Sequence, residues 1–182
     1  DGQAGLFLSR LEWELDGFEL PREMIASAFE PLGQVLDAAW EVHFTDERPK
    51  VAVFATRQDH CLLELLWRQR SGDLGCEIPC VVSNHEKLRP LTEQFGVEFY
   101  CLPIDKKNRE AQERAQLDLL RRADIGLVVL AKYMQILSPW FLREAPRVIN
   151  IHHSFLPAFP GARPYHQAHA RGVKIIGATA HY

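Results

Sequence analysis

The sequence has no long apolar run, no zinc-like cysteine spacing and no one-sided charge. Its longest hydrophobic stretches have strand length, well short of the ~20 residues that span a bilayer. No stretch reads as a signal peptide. Cys61, Cys76, Cys80 and Cys101 are its four cysteines. Cys76 and Cys80 are four apart, but no second Cys/His pair stands at structural-zinc distance and no redox pair is formed. They read as free, mostly buried thiols in a reducing compartment, which points to the cytoplasm. Lys and Arg number 21 against 24 Asp and Glu, and they are scattered. The net charge of -3 therefore gives neither a nucleic-acid stripe nor a membrane-surface patch. Internal repeats and low-complexity segments are absent too. What is present suits a soluble globular chain: 182 residues, 47% hydrophobic and 25% charged, enough for one domain and part of another.

Two regions differ in pattern. Residues 6–13 partly alternate, as a strand does. Pro21 followed by Glu23 is a helix-start signal for residues 21–29, and residues 38–44 read as a second strand. Residues 1–44 thus read as strand–helix–strand, too short to close a core alone. Residues 45–50 are polar and read as a linker. From residue 51 onward the order changes. Val51-Ala52-Val53-Phe54-Ala55 is a continuous apolar run, as expected of a strand buried on both faces. Helices are then predicted at 60–70, 87–95, 109–122, 139–143 and 165–171. Strands are predicted at 78–83, 98–103, 126–131, 148–152 and 175–180. This alternation predicts an α/β domain over 51–182, a Rossmann-like parallel sheet with helices on both faces. Ligands in such sheets sit beyond the carboxyl ends of the strands. Both ends of the chain read as cut within strands, so the second domain is expected to be truncated at its carboxyl end.

The segment richest in chemistry is Asn150-Ile151-His152-His153-Ser154-Phe155-Leu156-Pro157. Asn150 and His152 are two apart and project to the same side of an extended strand. The amide offers a donor and an acceptor, and the imidazole transfers protons near neutrality. Together they can polarise a carbonyl oxygen and protonate a leaving nitrogen, half of what amide hydrolysis needs. A carboxylate would complete the set. A lone Asn-x-His is a weak pattern by itself. His153 points to the other face and reads as structural. His166 and His169 have a possible metal-ligand spacing on a helix, but no third ligand aligns with them, so no metal is assigned.

Several motifs together resemble the folate-dependent formyltransferase fold. Asn150-Ile151-His152-x-Ser154-x-Leu156-Pro157 followed by Phe159-Pro160-Gly161 is similar to that family's signature. Four stretches resemble its formyltetrahydrofolate deformylase branch. They are Asp59-His60-Cys61-Leu62-Leu63-Glu64-Leu65-Leu66-Trp67, Leu130-Ala131-Lys132-Tyr133-Met134-Gln135-Ile136-Leu137, the Asn150–Pro157 segment itself and Gly177-Ala178-Thr179-Ala180-His181-Tyr182. The resemblance covers about residues 50–182. Residues 5–44 resemble the latter part of an ACT domain, a ferredoxin-like α+β unit.

The resemblance implies hydrolysis of 10-formyltetrahydrofolate to formate and tetrahydrofolate, with formate feeding purine synthesis. It implies that Asn150 binds the formyl oxygen and that His152 is the general acid. His181 is a further candidate near the site. Met134, Gln135, Ile136 and Leu137 match the loop that wraps the pterin; without the resemblance the apolar three would read as core. The family's catalytic Asp would lie in a loop beyond Tyr182, and a chain ending at Tyr182 would be expected to be inactive or nearly so. No cofactor or metal is implied, the folate being the substrate. The ACT-like part suggests an amino-acid effector and a homo-oligomer.

The acceptor can be read from one turn. Transferases of this fold cradle the acceptor's phosphate on a glycine-rich loop after the first strand. Here that place reads Ala55-Thr56-Arg57-Gln58-Asp59-His60-Cys61-Leu62, without glycine and with Asp59 set to repel an anion. Arg57 reads as solvated and Asp59 as a helix N-cap. Water is therefore the expected acceptor. The rival readings are a non-catalytic folate-binding or amino-acid-sensing module and formyl transfer to an amine.

Overall fold

In the computed structural model, residues 7–105, 107–152, 154, 155, 157–159, 161 and 163–182 are described. The chain divides into two compact units, residues 1–44 and 45–182.

In the first unit a 3-10 turn, Arg22–Met24, leads into helix α1, Ile25–Val35. Trp40 packs edge-on against Phe29, ring centroids 4.9 Å apart. It also covers Gly33, where an added Cβ would lie 2.2 Å from Trp40 Nε1. The helical segment starts near the predicted 21–29 but runs on to Val35, and the flanking strands are not formed: residues 7–13 and 38–44 are without regular structure. A strand must pair its backbone N–H and C=O groups with a neighbour. No ladder forms among residues 7–44, and the alternating apolar side chains stay in solvent, Phe7 88% and Leu8 82% exposed. One helix therefore stands where a ferredoxin-like half was expected.

The second unit is built on a six-stranded sheet. Its elements are β1 Lys50–Ala55, α2 His60–Ser71, β2 Glu77–Ser83, α3 Arg89–Gln94, β3 Glu98–Cys101, α4 Arg109–Arg122, β4 Leu127–Ala131, α5 Pro139–Glu144, β5 Arg147–His152, α6 Pro164–Ala170 and β6 Thr179–His181. The strand order is β3-β2-β1-β4-β5-β6. All neighbours pair in parallel except β5 and β6, which are antiparallel. Strand β1 is buried from Val51 to Ala55. Its side chains alternate between two cores, as a period of two requires. Val51, Val53 and Ala55 face Leu62 and Leu66 of α2, whereas Ala52 and Phe54 face Leu117 and Leu120 of α4 and Phe141 of α5. Helices thus cover both faces, and the chain's crossing from β3 to β4 puts a topological switch point between β1 and β4.

Three elements of this unit differ from the sequence reading by more than a one-residue shift of an end. The predicted helix 87–95 is a 3-10 turn, Glu86–Leu88, followed by α3, because Pro90 is tolerated only in a first turn. Strand β3 stops at Cys101, two residues before Pro103, which cannot donate to a ladder. The last strand is neither 175–180 nor parallel. Residues 173–178 are irregular, with Ile175 73% exposed, and only Thr179–His181 pairs with β5.

Candidate active site

Strand register brings the candidate residues of β5 and β6 together. Asn150 lies opposite Leu130 of β4 on one side and opposite His181 of β6 on the other. His152 lies opposite Thr179. Directly opposed residues of an antiparallel pair share a face, with Cβ atoms about 5 Å apart. Residues two apart on one strand share it as well, about 7 Å apart. Asn150, His152 and His181 therefore occupy one face at the carboxyl end of β5, and all three are half-buried. Spacing joins Asn150 to His152 and the resemblance names His181; the antiparallel pairing sets His181 opposite Asn150.

The loop after β5 fixes the imidazole. His152 Nε2 lies 3.0 Å from the carbonyl oxygen of Phe159, and Ser154 Oγ donates to that same oxygen at 2.8 Å. A carbonyl can only accept, so the contact assigns the Nε2 proton to His152. Ser154 and Phe159 are buried. Thr179 Oγ1 donates to the Ser154 carbonyl at 2.8 Å and ties β6 to the loop. His153, Leu156 and Pro160, named in the sequence motif, lie outside the described residues.

A second loop leaves β4 beside Asn150. Lys132 turns the chain with φ 57°, left-handed backbone that costs a non-glycine residue roughly 1 kcal/mol. Tyr133 drops back into the core, edge-on to Phe54 at 5.3 Å. Its hydroxyl accepts a hydrogen bond from Gln116 Nε2 at 3.1 Å, and burial pushes its phenol up to about 12. Met134 N–H donates to Thr56 Oγ1 at 2.8 Å. Ser138 closes the loop: its N–H and Oγ–H donate to the two oxygens of buried Glu113 at 3.0 and 2.5 Å, and its Oγ caps α5 by accepting from Phe141 N–H. Between these anchors Met134 and Ile136 are 71% and 80% exposed, Gln135 is half-buried, and Leu137 packs on the core. The loop is thus rigidly held yet offers apolar side chains and backbone polar groups to solvent. That mixture suits a flat heterocycle rich in donors and acceptors. It runs from the carboxyl end of β4, beside the β1/β4 switch point.

The turn after β1 has no anion cradle. Thr56 is buried, Arg57, Gln58 and Asp59 are exposed, and no glycine frees the backbone. Asp59 holds the N-cap position of α2, but its carboxylate makes no capping bond. Its ψ of -25° is already helical, whereas side-chain capping needs extended backbone. The N-cap expectation for Asp59 is therefore corrected: only its carbonyl serves the helix, accepting from Leu63 N–H at 2.7 Å.

His166 and His169 both lie exposed on α6. Among the described residues no three His, Cys, Asp or Glu side chains stand where they could share a metal ion. Residues that sequence reasoning missed are Thr56, Glu113, Gln116 and Ser138. Thr56 lay within the turn read only for its lack of glycine. Glu113 and Gln116 carried no signal, because on a helix rich in charge they look like solvated surface.

Comparison with known proteins gives the family and the fold. Residues 49–182 match the family described as formyl transferase. The formyltetrahydrofolate deformylase of Synechocystis sp. is 58% identical over 182 residues, all of this chain and 64% of that protein. The crystal structure of formyltetrahydrofolate deformylase from Burkholderia mallei superposes with a TM-score of 0.76 at 46% identity, covering 91% of this chain and 59% of that one. Phosphoribosylglycinamide formyltransferase from Bacillus halodurans shares the fold at a TM-score of 0.64 and 32% identity, covering 73% of this chain and 71% of that one. The chain spans less than two thirds of the length of the two deformylases.

Proposed function

Because the chain belongs to the formyl transferase family, we propose that it carries the folate site of a formyltetrahydrofolate deformylase, which hydrolyses 10-formyltetrahydrofolate to formate and tetrahydrofolate. The observation that carries this reading is the register Leu130–Asn150–His181, which sets the amide and the two imidazoles beside the start of the 132–137 loop. In the proposed reaction the pterin rests on Met134, Gln135, Ile136 and Leu137. The Asn150 amide and the protonated His152 ring hold the formyl oxygen while water attacks the formyl carbon. The water's proton passes to a general base, the part that the family resemblance assigns to an aspartate. The carbon–N10 bond then breaks, N10 takes a proton from His152, and formate leaves. His181, opposite Asn150, is assigned a supporting place at the formyl oxygen. The chemistry is assigned to side chains and water, with folate as substrate and no resident cofactor.

Water rather than an amine is the proposed acceptor because the turn after β1 lacks the glycines that a phosphate needs and presents Asp59 instead. Formate supply to purine synthesis, a cytoplasmic location, an amino-acid effector at the ACT-like unit and a homo-oligomer belong to the same proposal.

The test is incubation of the chain, together with whatever sequence adjoins it in its gene, with 10-formyltetrahydrofolate and no amine. Equal amounts of formate and tetrahydrofolate are expected. Turnover only after an amine is added would assign a transferase, and tetrahydrofolate binding without turnover would assign a binding module.

A further inference from the structure

One face of α4 holds the 132–137 loop from beneath. Arg109, Glu113 and Gln116 stand four and then three residues apart, so they form a single stripe over two helical turns. Each grips a different point. Arg109 donates to the Ile136 carbonyl at 3.1 Å, Glu113 accepts from Ser138 N–H and Oγ–H, and Gln116 donates to Tyr133 Oη. Glu113 and Gln116 are 3% and 0% exposed, next to Leu117 and Leu120 in the same core layer. Polar groups are costly there unless hydrogen-bonded, and apolar residues would pack α4 as well. What the polar stripe adds is a backbone held in one shape while Met134 and Ile136 face solvent.

We infer that Arg109, Glu113 and Gln116 are positioning residues, which set the shape of the 132–137 loop for the flat ring of the substrate without touching it. The inference rests on the folate reading above. A loop ordered before the ligand arrives does not lose its freedom on binding. The stripe therefore acts equally on bound substrate and transition state, and its loss raises KM while leaving kcat in place.

Arg109→Met and Glu113→Ala are each expected to raise KM for 10-formyltetrahydrofolate, and Kd for tetrahydrofolate, about five- to tenfold, with kcat within about threefold of the parent. Glu113→Gln keeps an acceptor for Ser138 N–H and is expected to restore KM to within about threefold. Should Glu113→Ala fail to fold, Arg109→Met decides, since its half-buried side chain sits at the first residue of the helix. Unchanged KM and Kd in the folded variants, or a fall in kcat at constant KM, overturns the positioning role while leaving the hydrolase reading intact. A parent protein that neither binds tetrahydrofolate nor releases formate overturns both.

Discussion

At the scale of single residues, one carbonyl organises the site. The Phe159 oxygen receives both His152 Nε2 and Ser154 Oγ, so the imidazole is oriented before any ligand binds. His152→Ala is expected to slow formate release at least about a hundredfold, the usual scale of a lost general acid, while Kd for tetrahydrofolate stays within about threefold. A formate assay and a fluorescence titration read the two quantities separately. Tyr133 carries a pH dependence of its own. Burial raises its phenol to about 12, above the ~10 of an unfolded tyrosine, with the Gln116 hydrogen bond a smaller opposing influence. The folded state therefore keeps the neutral phenol longer than the unfolded state does. Its contribution is whole below pH ~10 and is lost as pH climbs through 12. Denaturant unfolding across that window should show parent stability falling faster than that of Tyr133→Phe; parallel curves would count against a buried phenol.

At the scale of elements, Phe54 joins strand to loop to helix: it is fully buried, edge-on to Tyr133 and 6.2 Å from Phe141 of α5. Phe54→Ala should destabilise the second unit by about 3–5 kcal/mol, measured by chemical denaturation. The turn after β1 makes a different prediction. Adding glycinamide ribonucleotide should not divert the formyl group, so formate yield stays constant; formylation of that amine would show an anion site the turn does not display. Elements were legible where burial is complete. The run Val51–Ala55 announced a central strand because both its faces meet core. Residues 173–178 misled because exposed Ile175 and Ile176 carry strand propensity without a neighbour to pair with. The flanks of α1 misled for the same reason. The α4 stripe was invisible because Arg109, Glu113 and Gln116 are interleaved with solvent-facing Glu110, Arg114 and Asp118, and only tertiary contact tells the two sets apart.

At the scale of the molecule, the second unit brings the proposed site residues together from parts far apart in sequence: Thr56 after β1, the 132–137 loop after β4, Asn150 and His152 on β5, and His181 on β6. The Asn-x-His spacing was readable on one strand. His181 was named only through the resemblance, since antiparallel pairing of β6 in an otherwise parallel sheet leaves no trace in local alternation. The central claim is that these parts form one folate site. Determining the structure with a bound non-hydrolysable formyl-folate analogue tests it most directly. The account predicts the pterin against residues 134–137 and the formyl oxygen within hydrogen-bond distance of Asn150 and His152. An analogue seated elsewhere, or one whose formyl group faces away from those two side chains, would contradict it.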